Sequence, residues 1–306
     1  MDVLSDAVAA MRTGRPHSVL SELQTPWGMR FEGSGGAGFH VVLRGSAWLI
    51  PPRGEPVALG PGDVAFLAHG RGHVLACSLD APLEDVRLDP DGRWPEPPAP
   101  ARDSTPDAVL LCGAYMLDRS RAHPLLTELP EVVHLPARVG AHRLLRAAVE
   151  LLGAELAEPQ PGSDTIVSSL LDTLLLYFLR AWWQGEGRDT GHPTGWAAAL
   201  ADPGISAALR ALHADPAHAW TVSELAARAG LSRAAFAGRF AALVGRPPLT
   251  YLTWWRMTTA SRLLRVDDTP LRLVAQRTGY TSEFAFAKAF KREFGLAPGQ
   301  YRRRVS

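Results

Sequence analysis

The stretch GYTSEFAFAKAFKREFG, residues 279–295, holds four phenylalanines and three basic residues. If a helix begins after Ser282, Phe286 and Phe290 share one side of it, because side chains four positions apart lie on the same helix face. The positions on or near another side are Glu283, Phe284, Ala287, Lys288 and Lys291. The pattern predicts an amphipathic helix whose charged side faces either solvent or a large anionic partner.

A repeat decides between these two alternatives. The segment SELAARAGLSRAAFAGRFAALVGRPPLTYL, from Ser223, matches RLVAQRTGYTSEFAFAKAFKREFGLAPGQYR, from Arg272. Each copy has a short helix, a glycine that can adopt the left-handed conformation, and a serine that can cap a second helix. This is the plan of a helix-turn-helix, whose second helix enters the major groove of DNA. The repeat therefore predicts two helix-turn-helix units and double-stranded DNA as a partner.

The distribution of charge agrees with this prediction. Residues 201–306 contain 16 Lys and Arg against 7 Asp and Glu, a net charge of +9. The full chain has 32 against 31, which leaves 16 against 24 in residues 1–200, a net charge of −8. A basic segment behind a mildly acidic body favours a nucleic-acid partner at the C-terminal end.

With the repeat and the run GYTSEFAFAKAFKREFGLAPGQYR, residues 204–304 resemble the DNA-binding domain of the AraC/XylS family of transcriptional regulators. The resemblance implies that a linking helix, here TYLTWWRMTTASRLLR, joins the two units, which enter successive major grooves of promoter DNA. It also implies a transcriptional activator that contacts RNA polymerase.

The family's base-reading positions can be transferred onto this sequence. They fall on Arg233, Ala234, Ala237 and Gly238 in the first copy, and on Ser282, Glu283, Phe284, Ala287 and Lys288 in the second. Lysine can donate to guanine, glutamate can accept from cytosine, and phenylalanine can contact the thymine methyl group. The expected contacts to the DNA backbone are Ser232, Arg239, Arg256, Arg262, Lys291 and Arg292. Gly238 leaves two explanations open: close approach of the backbone to DNA, or a loosely bound first unit.

The first part of the chain has a different pattern. Residues 20–90 alternate short apolar runs with turn residues, which predicts a β-sandwich or β-barrel. The run GDVAFLAHGRGHVL resembles the second motif of cupins, with Ala68 in place of the motif's proline. Of the histidine pair in the first motif only His40 is present, because Val42 occupies the second position. We therefore expect a cupin-like fold and an incomplete cupin metal site.

Two interpretations of the cupin histidines stay open. His40 and His73 would point into the mouth of the barrel, where they would ligate a divalent metal such as Zn or Fe, with Cys112 as a third donor. Alternatively they are hydrogen-bonded residues of a pocket for a small-molecule effector, together with Trp48 and Tyr115.

The cysteines offer a further hypothesis. The runs FHVVLRGSAWL, LLCGAYMLD and HPLLTELP resemble a cupin subgroup of these regulators that includes reactive-chlorine sensors. Because such sensors use cysteine oxidation, the resemblance makes Cys77 and Cys112 candidate redox thiols. A thiol in an apolar strand is usually inert, however.

The predicted fold class is α+β multidomain: an N-terminal cupin-like β-barrel followed by helices, and a C-terminal all-α domain with two helix-turn-helix units joined by a linking helix. The expected segments are a sensor domain over 1–139, a helical dimerisation segment over 140–184, a linker over 185–203 and the DNA-binding domain over 204–306. The apolar stripe Ile166, Leu170, Leu174, Phe178 predicts a homodimer, because a single barrel would not cover so wide a surface. Asp172 disfavours a membrane span in this helix, and with no signal peptide we expect a cytoplasmic protein.

Two functions compete on these observations. The first is a transcriptional regulator that responds to a small-molecule, metal or oxidative signal. The second is a cupin metalloenzyme or a cysteine-based DNA-repair protein fused to a DNA-binding domain. The incomplete metal set disfavours the metalloenzyme, and the absence of basic sequence neighbours beside either cysteine disfavours repair. We expect a regulator without catalytic activity.

Overall fold

The computed structural model describes residues 2–12, 14, 16–33, 36–87, 105–117, 123, 126, 128–138, 141–185, 195–266 and 268–305. The chain divides into two compact units. The β unit comprises Arg12–Gly191, and the helical unit comprises Met1–Met11 together with His192–Ser306.

The strands of the β unit form two sheets. In chain order they are β1 (His17–Leu23), β2 (Gly28–Phe31), β3 (Ala37–Arg44), β4 (Ala47–Ile50), β5 (Val57–Leu59), β6 (Val64–Leu67), β7 (His73–Ala76), β8 (Glu84–Val86), β9 (Ala108–Tyr115) and β10 (Val133–Leu135). One sheet has the order β1-β9-β3-β6-β10 and the other β5-β4-β7-β2-β8. The paired strands are antiparallel, except that β2 and β8 are parallel.

The period of two along each strand decides which side chains enter the barrel. Val42 of β3 and Leu110 of β9 belong to the buried core between the sheets. On the opposite face of the same sheet, Phe39 and Phe66 pack against Phe178 at ring distances of 5.4 and 5.3 Å. The alternation thus separates an interior face from an outer face that carries a helix.

Phe178 lies on the second of two helices in the β unit, α2 (Arg143–Ala157) and α3 (Ser163–Gly185). The C-terminal half of α3 is buried through Leu171, Leu174, Leu175, Phe178 and Leu179. The expectation that a partner must cover this stripe is therefore wrong for that half, because the sheet of the same chain covers it. Ser163–Gln184 is long and apolar enough to span a membrane, but it is also the helix that packs on this sheet.

The helical unit contains the predicted repeat. Its helices are α1 (Val3–Met11), α4 (Gly195–Ala201), α5 (Pro203–Ala214), α6 (Val222–Arg228), α7 (Arg233–Val244), α8 (Pro248–Val266), α9 (Leu271–Arg277), α10 (Glu283–Phe294) and α11 (Pro298–Val305). Helices α6 and α7 form the first helix-turn-helix, α9 and α10 form the second, and α8 links them. Phe286 and Phe290 are fully buried in a core with Met257 and Leu264 of α8.

Two of the expected boundaries differ from the structure. Residues 1–11, assigned above to the sensor domain, belong to the helical unit. Val3, Leu4, Ala7 and Val8 of α1 are buried there, and the Asp6 carboxylate lies 3.4 Å from Nδ1 of His213. In the expected linker, residues 195–201 form α4, because Trp196 is fully buried against the helical unit. The linker residues 186–194 lie outside the described residues.

Candidate functional site

The two turns have the local structure that the repeat predicts. Gly230 and Gly279 adopt φ of +66° and +78°, a region that glycine enters without steric cost. Ser232 Oγ accepts a hydrogen bond from the amide of Ala235 at 3.3 Å, and Ser282 Oγ accepts one from Ala285 at 3.1 Å. The caps fix where α7 and α10 begin, and so they fix which side chains stand at the N-terminal end of each helix.

Both helices bury one side and expose the other. Phe236 and Phe240 of α7 are fully buried, as are Phe286 and Phe290 of α10. The expected base-reading residues lie on the opposite, accessible sides: Arg233, Ala234, Gly238, Ser282, Glu283, Phe284 and Lys288 are exposed, and Ala237 and Ala287 are half-buried. Phe284 is 80% exposed, so it forms little of the core. The structure thus brings each expected set onto one accessible helix side.

Apart from Ser232, whose hydroxyl caps α7, the expected backbone contacts are basic residues that divide into two groups. Arg262, Lys291 and Arg292 have exposed side chains and remain candidates for phosphate binding. Arg239 forms an ion pair with Asp202, the N-cap residue of α5, and Arg256 donates to two backbone carbonyls. These two guanidinium groups therefore already have partners within the protein, which sequence reasoning did not anticipate.

Gly238→Ala tests the two explanations for the first recognition helix. A Cβ at Gly238 would meet nothing within 4 Å, and alanine is favoured over glycine by about 1 kcal/mol inside a helix. We expect this variant to raise the free energy of unfolding by about 0.5 to 1 kcal/mol, measured by urea denaturation. If DNA affinity falls in the stabilised variant, glycine serves close approach to DNA; if affinity is unchanged, the first unit binds loosely at this position.

Three side chains of the β unit form a hydrogen-bonded series, in which Cys112 and His40 are buried and His73 is half-buried. Cys112 Sγ lies 3.0 Å from Nδ1 of His40, and Nε2 of His40 lies 2.7 Å from Nε2 of His73. Nδ1 of His73 lies 3.2 Å from the carbonyl oxygen of Arg71. Strand pairing creates the first contact, because His40 of β3 is directly opposite Cys112 of β9. Phe31 stacks on the His73 ring at 4.8 Å.

When both imidazole rings are neutral, the hydrogen bonds from Cys112 to Arg71 allow only one assignment of donors and acceptors. A carbonyl oxygen only accepts, so His73 Nδ1 donates to Arg71 and its Nε2 must accept. His40 therefore donates from Nε2 and accepts at Nδ1, which leaves the Cys112 thiol as the donor. All the nitrogen and sulfur groups of the cluster are used in this arrangement.

Burial keeps the side chains of Cys112, His40 and His73 uncharged. It lowers the pKa of His73 to about 4 and, with a smaller contribution from His73, lowers the pKa of His40 well below its usual value. Burial also raises the pKa of the Cys112 thiol to about 12. A thiol is nucleophilic as its thiolate, so Cys112 is held in its unreactive form.

The cluster does not fit a cupin metal centre. Cys112 lies at Nδ1 of His40 and His73 lies at its Nε2, so the three donor groups surround different sides of one ring and do not converge on a common point. Among the residues that the structure describes, no group of three or more His, Cys, Asp or Glu side chains is placed to hold an ion. The hydrogen-bonded interpretation of the two histidines is therefore the one that the geometry supports.

Other expected sensor residues lie away from this cluster. Ala47 and Leu49 of β4 point into the core, so Trp48 between them points out of the barrel. Tyr115 lies on the outer face, where its hydroxyl donates to the carbonyl of Leu171 at 2.8 Å. Both assignments to an effector pocket with His40 are wrong, because strand alternation puts them on other faces. Cys77 is not part of the cluster, and its sulfur accepts a hydrogen bond from the amide of Trp27. Two residues that were not expected from sequence contact the cluster: Phe31 through its ring and Arg71 through its backbone carbonyl.

Comparison with known proteins agrees with this arrangement. A sequence model of the cupin family matches residues 2–184, and a model of the helix-turn-helix domain matches residues 225–304. An AraC-like transcription regulator of Streptomyces antibioticus is 35% identical over 310 residues, with 99% of each chain covered. The RCS-specific HTH-type transcriptional activator RclR of Escherichia coli (strain K12) is 32% identical over 269 residues, which cover 87% of this chain and 84% of that one.

Among solved structures, the DNA-binding domain of AdpA in complex with a target DNA is 37% identical to this chain. The match covers 34% of this chain and 92% of that one, with a TM-score of 0.32. The family matches confirm the expected α+β multidomain fold class and the resemblance on which the base-reading positions were transferred. The chain belongs to the AraC-like transcription regulators, as a DNA-binding regulator with an N-terminal cupin sensing domain.

Proposed function

We propose that this protein is a cytoplasmic, homodimeric activator that binds promoter DNA, contacts RNA polymerase and responds to a small-molecule or oxidative signal through its cupin domain. The observation that carries the proposal is the pair of capped helices, α7 and α10, each with one buried and one accessible side. A signal acts on DNA binding only if it interacts differently with two states of the chain.

The proposal includes no catalytic role. The buried Cys112 thiol has a pKa of about 12 and donates to His40, so it lacks the thiolate that cysteine-based repair requires. The described residues also hold no cluster suited to a catalytic metal. We therefore do not assign Cys112 a role as a catalytic nucleophile.

An exposed apolar seam on α2 supports the homodimer. Its residues are Leu144, Ala147, Leu151 and Ala154, all of them exposed, at spacings of three, four and three. This is the spacing at which helices pack along a common seam. Leu144 and Leu151 are 63% and 60% exposed, and Ile166 on the adjacent helix α3 is 45% exposed. A second copy of the chain is the partner that would bury the same seam on both sides of a two-fold axis.

The double substitution Leu144→Glu and Leu151→Glu is expected to produce a monomer, because it would bury four carboxylates in the two-fold interface. Light scattering at micromolar concentration should show the mass of two chains for the parent and one for the variant. The variant should also lose stimulation of RNA polymerase in transcription from a template that carries the bound DNA sequence.

Leu79→Glu provides a matched control, since Leu79 is 56% exposed and lies in the β unit outside the seam. It should leave both the mass and the stimulation unchanged. A parent chain that is already monomeric would contradict the dimer, and a parent that lowers transcription would contradict the assignment as activator.

A further inference from the structure

Arg256 occupies the middle of the linking helix and has its partners inside the protein. Its Nε donates to the carbonyl of Pro216 at 2.6 Å, and its Nη2 donates to the carbonyl of His218 at 2.8 Å. Hydrogen bonds from a charged guanidinium are stronger than those between neutral groups, and two of them fix its orientation. Arg256 therefore holds the segment that leads into the first helix-turn-helix.

That segment is itself anchored to the first unit. The indole of Trp220 donates to the carbonyl of Asp215 at 2.8 Å, and the guanidinium of Arg228 lies 4.9 Å from the Trp220 ring. Thr221 and Glu224 form a capping box at the start of α6. A displacement of residues 216–218 would therefore be transmitted to α6, which packs against the recognition helix α7.

The Arg256 guanidinium also meets the turn of the second unit. A Cβ placed on Gly279 would lie 2.7 Å from Nη2 of Arg256 and 2.9 Å from the carbonyl oxygen of Ala217. The turn thus packs directly on the guanidinium and on the segment that it holds. The next residue, Tyr280, packs edge-on against Phe286 of the recognition helix α10 at 5.8 Å.

We infer that Arg256 is a positioning residue that fixes the two helix-turn-helix units relative to each other, and thereby the spacing between the two DNA subsites that the chain accepts. The guanidinium lies where the first unit, the linking helix and the turn of the second unit meet. This assignment replaces the phosphate contact expected from sequence, because both donated bonds go to backbone carbonyls. It deepens the proposed function, since it rests on DNA binding by both units.

Spacing discrimination is the property that such a residue controls. One inserted base pair moves the second subsite by about 3.4 Å and about a tenth of a turn. A rigid pair of units cannot follow this displacement and loses base contacts in one groove, whereas a loosely joined pair can follow it. Affinity for the correctly spaced DNA also falls when the pair is loose, because preorganisation is lost.

The experiment uses the full chain and a duplex that it selects from a random-sequence library, with the two subsites located by base substitution. For the parent chain, one base pair inserted between the subsites should weaken binding by about 30-fold or more, the scale of one or two lost base contacts. For Arg256→Ala the same insertion should cost about 3-fold or less. Arg256→Lys keeps the charge but not the planar fork, so its insertion penalty should be intermediate.

Arg262→Ala is the matched control, because Arg262 is an exposed arginine on the same helix. It should weaken binding to both duplexes equally, reduce the salt dependence and leave the insertion penalty of the parent unchanged. If both Arg256 variants behave like Arg262→Ala, with equal weakening on both duplexes and an unchanged insertion penalty, the inference is overturned and Arg256 is a phosphate contact. If Arg256→Ala does not fold, which its melting curve will show, Arg256→Lys carries the test. A parent chain that enriches no duplex would overturn DNA binding itself along with the inference.

Discussion

Phe290→Ala is expected to destabilise the helical unit by about 3 to 5 kcal/mol, the range for removal of a buried phenylalanine ring. Phe290 is fully buried, and its ring lies 4.0 Å from that of Phe294 and 5.3 Å from that of Tyr301. The cavity would open at the base of the second recognition helix, where α8, α10 and α11 meet. Since many domains are stable by only about 5 to 15 kcal/mol, loss of specific DNA binding should accompany the change.

The same substitution six positions earlier provides the control. Phe284 lies on the same helix but is 80% exposed, so Phe284→Ala should change the free energy of unfolding by less than about 0.5 kcal/mol. Hydrogen exchange in the full chain separates the cases: peptides from α9 to α11 should lose protection in Phe290→Ala and keep it in Phe284→Ala. Equal loss of protection in both variants would mean that Phe284 also supports the fold.

Phe284→Ala should nevertheless weaken specific DNA binding. A largely exposed phenylalanine on a recognition helix can gain apolar contact with a thymine methyl group, and burial of one such carbon contributes on the order of 0.8 kcal/mol. Replacement of the contacted thymine by uracil removes only that methyl group. It should weaken binding by the parent chain and have no effect on Phe284→Ala. This comparison separates a base-reading role of Phe284 from any contribution to stability.

The DNA-binding half was predictable because its determinants are local. A glycine turn and a serine cap are decided within a few residues, so the repeat around Gly230 and Gly279 predicts the fold before any tertiary contact is known. The accessible side follows from the helical period, which puts Phe286 and Phe290 opposite Lys288. The role of Arg256 was not predictable, since its partners Pro216 and His218 are 40 and 38 positions away in the chain.

The sensor domain was harder to predict because, as for Arg256, its contacts join residues that are far apart in the sequence. The pairing of His40 with Cys112 joins residues 72 positions apart, and sequence alone does not set the register between β3 and β9. Trp48 shows that aromatic character is a poor guide to a pocket, because the alternation along β4 decides its direction. Burial of α1 in the helical unit likewise depends on contacts, such as that between Asp6 and His213, that no local pattern reveals.

The buried histidines should make the β unit sensitive to acid. The pKa of His73 falls from an unfolded value of about 6.5 to about 4 when the unit folds, and that of His40 falls in the same direction. Between these values the unfolded chain binds more protons than the folded chain, so stability is complete above about pH 6.5 and declines as the pH approaches about 4. His73 should account for about 1 to 3 kcal/mol of this decline. This range already allows for solvent screening of the partly exposed ring.

The hydrogen-bond geometry adds a reason why protonation is unfavourable. Protonation would turn Nε2 of His73 from an acceptor into a donor, 2.7 Å from Nε2 of His40, which also carries a proton. The bond between the two histidines would then break, or His40 would have to change tautomer and donate to Cys112 instead of accepting from it. Urea denaturation between about pH 7.5 and about pH 4 should therefore show a smaller decline in stability for His73→Gln than for the parent. His218→Gln, which changes a histidine of the helical unit, should leave the parent's decline in place. Parallel profiles for the parent and His73→Gln would mean that folding does not lower the pKa of His73, which would contradict the assigned shift.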